Sequence, residues 1–84
     1  MSELRVKIYT RSWCGYCTAA IRLLKSKSIP FEEIDLSGDG QGMAALKART
    51  GYPTMPQVFV DDALIGGYTE LDAYVRSKGA ESLS

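Results

Sequence analysis

Apolar positions come in short blocks whose period changes along the chain, and each change marks an element. Leu4, Val6 and Ile8 alternate with polar neighbours, predicting a strand over Leu4–Tyr9 with those three residues on one face. The period then becomes helical over Thr18–Ser28: Cys17, Ala20, Ile21 and Leu24 take core spacing, while Arg22, Lys25 and Ser26 face out. Pro30 forces the chain out of helix and opens a second strand, Phe31–Leu36. That strand does not alternate cleanly, because Phe31 and Ile34 fall on opposite faces, as they would if helices covered both sides of a sheet.

After a loop at Ser37-Gly38-Asp39-Gly40, Gln41–Thr50 reads as a second helix with Met43, Leu46 and Ala44 inward, stopped by Gly51. Thr54-Met55-Pro56 leads into a strand over Gln57–Val60, and Asp61-Asp62 is a two-residue turn into Ala63–Ile65, predicting an antiparallel hairpin. Gly66-Gly67 end that strand. Thr69 is a favourable N-cap for a last helix over Glu70–Lys78, with Leu71 and Val75 as its core contacts, and the tail beyond Gly79 is expected to be mobile. The order is β-α-β-α-β-β-α. A right-handed crossover makes the first two strands parallel, and the hairpin completes a four-stranded mixed sheet in one α/β domain over residues 1–84.

Composition narrows the function classes. Ten Lys+Arg balance ten Asp+Glu, so nothing electrostatic points to nucleic acid or an anionic membrane as partner. No stretch has the length or apolar character of a signal peptide or a membrane span. The chain has no histidine, which removes Cys–His and Ser–His catalytic pairs and leaves a zinc site without its remaining ligands.

The two cysteines lie in Trp13-Cys14-Gly15-Tyr16-Cys17, where the first strand hands over to the first helix. A thiol at a helix start meets unpaired N–H groups and the positive end of the helix dipole, and both favour the nucleophilic thiolate. Three residues on, the second cysteine lies one turn later on the same face, with Cα atoms about 5–6 Å apart, within reach of a disulfide. Such a pair in an untargeted chain suggests reversible redox chemistry in a reducing, cytoplasmic compartment.

These residues carry a family resemblance. Tyr9-Thr10, Trp13-Cys14-Gly15-Tyr16-Cys17, Thr54-Met55-Pro56-Gln57 and Gly66-Gly67 occur in the order and spacing of a glutaredoxin, along essentially the whole chain. A lone C-x-x-C would be weak evidence; the set is specific. The resemblance implies the thioredoxin fold and reduction of glutathione mixed disulfides and protein disulfides with glutathione as electron donor. Cys14, at the helix start, is then the nucleophile, and Cys17, one turn deeper, the resolving thiol. Glutathione-binding residues implied in the same way are Arg11, Tyr16, Thr54, Met55, Pro56, Gly67, Tyr68 and Thr69. Arg11 offers a cation near the thiolate and a partner for the glycine carboxylate; Met55, before a cis proline, offers its backbone. Tyr68 and Thr69 offer N–H groups to the γ-glutamyl carboxylate. Trp13 either shields the thiol or covers the end of the core.

Two features depart from the common family pattern. Thr69 stands where an aspartate often pairs with the γ-glutamyl ammonium, leaving that role to Glu70 if it reaches. Gly15 replaces the proline that often follows the first cysteine. Some members without that proline bridge a [2Fe–2S] cluster across a dimer, through one cysteine per subunit and two glutathione thiols, so Cys14 as a cluster ligand is an alternative. The expected assembly is a monomer, dimeric only with a cluster. A second alternative is a thioredoxin-like reductase served by a flavoprotein, toward which Trp13-Cys14-Gly15 leans.

Overall fold

The computed structural model describes residues 4–83. Strand β1 (Val6–Thr10) is followed by helix α1 (Gly15–Ser26), strand β2 (Phe31–Asp35), helix α2 (Gly40–Thr50), strands β3 (Gln57–Val60) and β4 (Ala63–Gly66), and helix α3 (Tyr68–Lys78). A final 3-10 turn covers Ala80–Leu83. The sheet order is β2-β1-β3-β4, with β1 and β2 parallel and the other neighbours antiparallel. This is the thioredoxin-fold arrangement expected from the sequence. No helix among the described residues is long and apolar enough to cross a membrane.

The sheet separates two apolar clusters, which explains the broken alternation of β2. Val6, Ile8, Val58 and Val60 pack with Ala20 and Leu24 of α1 and Leu71 and Val75 of α3, and Phe31 joins them. Phe59, Leu36, Leu46 of α2, Met55 and both cysteines form the second cluster, which Ile34 joins. Phe31 and Ile34 thus serve opposite faces. Ala44, expected inward on α2, is exposed.

Boundaries move where a cap overrides propensity. Leu4 lies outside β1 and is exposed. Helix α1 begins at Gly15, because the Cys14 sulfur accepts the Cys17 N–H and caps it. It ends at Ser26, because Ser28 turns left-handed (φ 56°) and the Ile29 N–H returns to Leu24 O at 2.9 Å. Helix α3 begins at Tyr68 with Gly67, not Thr69, as its N-cap, since the Glu70 carboxylate reaches back to the Gly67 N–H at 2.9 Å. The tail is tied down: Leu83 is only 1% exposed inside the first cluster, and the Arg5 guanidinium bonds both Asp61 and the Ser82 carbonyl. Asp61 and Asp62 both take positive φ, the backbone of a tight hairpin turn.

Candidate functional site

The cysteine pair sits where β1 delivers the chain to α1. Cys14 and Cys17 are joined as a disulfide with Cα atoms 5.2 Å apart, a separation that the helical spacing sets. Both side chains are largely buried. The Cys17 N–H points at Cys14 Sγ at 3.1 Å. The outer sulfur therefore occupies the place of a helix-capping acceptor, which favours negative charge there.

A second segment is placed against this sulfur. Met55 and Pro56 are joined by a cis bond, and Met55 O lies 3.8 Å from Cys14 Sγ. The Met55 side chain packs in the second cluster as an ordinary apolar group. What holds this segment is Gln57, which is 0% exposed. Its Nε2 donates to Tyr52 O at 2.8 Å, and its Oε1 accepts from the Thr50 hydroxyl at 3.0 Å. A buried amide with both ends satisfied fixes the loop from α2 to β3.

From Met55 a groove of about 260 Å³ runs to the start of α3. It gathers Tyr16, Thr54, Met55, Pro56, Gly67, Tyr68 and Thr69, seven of the residues singled out in the sequence. Tyr16, 67% exposed, stacks on Tyr68 with ring centroids 6.2 Å apart, joining α1 to α3 across one end. The first-turn N–H groups of α3 have no partners within the helix.

Two further residues line the groove. Tyr52 carries no signal in the sequence; the buried Gln57 amide brings it there, and its hydroxyl donates to Glu70 Oε1 at 3.3 Å. Among the described residues that line the groove, Glu70 is the only charged one. The Gly67 N–H, its own N–H and the Tyr52 hydroxyl stabilise its carboxylate and hold it below the ordinary carboxyl range, against a smaller opposing effect of burial. The groove therefore sets a fixed negative charge beside a helix N-terminus. That combination complements the ammonium and carboxylate of an amino-acid head group.

The remaining candidates lie elsewhere. Arg11 is not brought to the groove; its Nη1 donates to the carbonyls of Ser12 and Trp13 at 3.0 and 3.4 Å, and it lines a different cavity. Trp13 is 98% exposed with φ 58°, so it neither covers the core nor shields the thiol. Lys7 pairs with Asp62 at 3.7 Å, and Arg49 lies over the Phe59 ring. Among the described residues no group of three or more His, Cys, Asp and Glu is placed to hold a metal.

Comparison with known proteins agrees with this geometry. Residues 6–65 match the family model described as Glutaredoxin. Glutaredoxin 3 of Escherichia coli (strain K12) is 37% identical over 78 residues, covering 93% of this chain and 94% of that protein. The crystal structure of glutaredoxin 1 from Francisella tularensis, complexed with cacodylate, superposes with a TM-score of 0.76 at 34% identity, covering 87% of this chain and 93% of that one. That of the buckwheat glutaredoxin–glutathione complex gives 0.81 at 26% identity, covering 94% and 74%. The family match runs unbroken from the strand feeding the cysteine pair to the hairpin beyond Pro56, so the chain belongs to the glutaredoxin family and carries a two-cysteine active-site sequence.

Proposed function

We propose that the protein is a glutathione-dependent thiol-disulfide oxidoreductase that reduces glutathione mixed disulfides and protein disulfides. The observation that carries this reading is the groove, which begins at the Met55 backbone beside Cys14 Sγ and ends at Glu70 and the start of α3. A short peptide bonded to Cys14 would lie along Met55 as an added strand, held by main-chain hydrogen bonds. Its γ-glutamyl carboxylate would meet the N–H groups of Tyr68 and Thr69. Its ammonium would meet Glu70, which takes the place of the aspartate that Thr69 displaces. A structure of buckwheat glutaredoxin with glutathione supports this choice of ligand.

The Cys14 thiolate attacks the glutathione sulfur of a mixed disulfide; that S–S bond breaks, and the partner leaves as a thiolate that takes a proton. A second glutathione thiolate attacks the glutathione sulfur on Cys14, forming oxidised glutathione and returning the electron pair to Cys14. With a protein disulfide, Cys14 bonds one protein sulfur and Cys17 resolves the intermediate, leaving the Cys14–Cys17 disulfide for two glutathiones to reduce. We place this chemistry in a reducing, cytoplasmic compartment and assign it to a monomer.

A [2Fe–2S] centre needs four protein or thiol ligands, whereas this chain contains two cysteines and no histidine. One chain therefore does not complete such a centre; in the dimer-bridging alternative the Cys14 thiolate of each of two subunits and two glutathione thiols would hold it.

A glutathione-coupled assay with glutathione reductase, run beside a thioredoxin-reductase-coupled assay, tests the proposal. Wild type should turn over the glutathione–cysteamine disulfide, and Cys17→Ser should keep that activity while losing most reduction of protein disulfides. A Cys17→Ser variant dead toward the glutathione mixed disulfide would overturn the roles given to the two cysteines. Activity only with the flavoprotein would overturn the choice of reductant.

A further inference from the structure

A second cavity, of about 390 Å³, has Cys17 in its wall and shares no lining residue with the groove. Helix α1 and the edge strand β2 build it, and the β1–α1 loop closes one side. Arg22 and Lys25 lie three residues apart on α1, hence on one face, and Arg11 joins them from the loop.

The charges here are unevenly committed. Glu33 Oε2 accepts from the Thr10 hydroxyl at 2.7 Å, and Thr10 is 3% exposed, so this carboxylate is anchored in the wall. Asp35 Oδ1 accepts the Ser37 N–H at 2.8 Å. Among the described residues, by contrast, neither Arg22 nor Lys25 pairs with a carboxylate, and Arg11 donates only to carbonyl oxygens. Both carboxylates keep their charge but are tied into the wall. The three cations that line the cavity outnumber them without forming an ion pair to either, so the excess charge is positive and complements an anion.

The position of the cavity selects the kind of anion. A free carboxylate gains little from exposed cations. One carried on a chain whose cysteine is bonded to Cys14 arrives at an effective concentration in the millimolar range. Cys17, the disulfide partner of Cys14, lies in the cavity wall, and one to three extended residues on either side of a bonded cysteine span roughly 3–10 Å. The groove takes the glutathione half of a mixed disulfide and leaves the protein half to be received elsewhere. We infer that the Arg11–Arg22–Lys25 cavity is a subsite for an acidic side chain flanking the reactive cysteine of a protein substrate; this rests on the exchange reading of Cys14.

The test uses short peptides bearing one glutathionylated cysteine flanked by Glu-Glu, Gln-Gln or Lys-Lys, with the glutathione–cysteamine disulfide as control. At low ionic strength the wild type should show a kcat/KM about fivefold higher for the Glu peptide than for the Gln peptide. That preference should shrink with added salt. In an Arg22→Gln/Lys25→Gln variant the ratio should fall within twofold, and in Arg22→Glu/Lys25→Glu the Lys peptide should become the better substrate, with the control unchanged in both. Equal turnover of Glu and Gln peptides by the wild type, or a preference that survives the double substitution, would overturn the subsite alone. Absence of glutathione-dependent turnover of the control by the wild type would overturn the exchange reading and the subsite with it.

Discussion

Replacing Glu70 by glutamine separates two roles that one carboxylate combines. Oε1 accepts the Gly67 N–H at 2.9 Å and the Tyr52 hydroxyl at 3.3 Å, and a glutamine oxygen can accept both. The change therefore keeps the cap of α3 and removes only the charge. Glu70 is exposed, so its pairing with a substrate ammonium belongs with solvent-screened ion pairs, at about 1 kcal/mol or roughly a fivefold rise in the KM for glutathione. Glu70→Ala should show the same rise together with a loss of about 1 kcal/mol of stability, because the cap goes too. Steady-state kinetics with glutathione and with an analogue lacking the α-amino group would make the measurement. For the analogue, wild type and Glu70→Gln should have equal KM values. The carboxyl is held below its ordinary value of 4.5, so the difference should hold from that pH up to where the substrate's ammonium loses its proton, and vanish as the pH falls through the lowered value. If Glu70→Gln leaves the KM for glutathione unchanged, or raises it equally for the amino-free analogue, Glu70 does not recognise the ammonium.

Three further substitutions probe how the site is supported. Leu83→Ala should cost about 2–5 kcal/mol in urea denaturation, since the side chain is buried in the first cluster. A loss under 1 kcal/mol would show that the final turn does not hold the core. Gly66→Ala should cost about 1–3 kcal/mol and also raise the KM for glutathione, because φ is 127° and an added Cβ would sit 2.6 Å from Glu70 Cγ; unaltered stability and KM would refute that account. Trp13→Ala should shift stability by less than about 0.5 kcal/mol, the side chain being 98% exposed. A larger loss would mean that Trp13 packs against the protein in solution.

The regular elements were legible because their apolar periods match the faces they bury. Val6 and Ile8 read as one face of a strand and are that face, and even the irregular placing of Phe31 and Ile34 pointed to a sheet covered on both sides. Legibility failed at caps, where one hydrogen bond outweighs propensity. Thr69 is a better intrinsic N-cap than glycine, yet Glu70 reaching back to Gly67 starts α3 two residues earlier than that choice implies. Cysteine is not an ordinary capping residue, so the apolar period alone starts α1 at Thr18, whereas the Cys14 cap starts it at Gly15. Leu83, a lone apolar residue among polar ones, has no period to announce its burial. Tyr52 enters the groove only through the Gln57 amide, and Arg22 and Lys25, read as outward-facing, converge on a cavity only because β2 lies opposite. Contacts between residues distant in sequence leave no local pattern.

The hydrogen bond from the Cys17 N–H to Cys14 Sγ couples folding to electron flow. The atom that caps α1 changes its charge whenever the dithiol is oxidised or reduced, and a thiolate accepts a hydrogen bond more strongly than a disulfide sulfur. A firmer first turn of α1 therefore favours the reduced protein over the oxidised one, and by reciprocity reduction makes that turn firmer. A sequence change that stabilises the helix start, without touching either cysteine, makes the protein a stronger oxidant of its thiol partners. The direction in which electrons pass through this site is set in part by how well one helix begins.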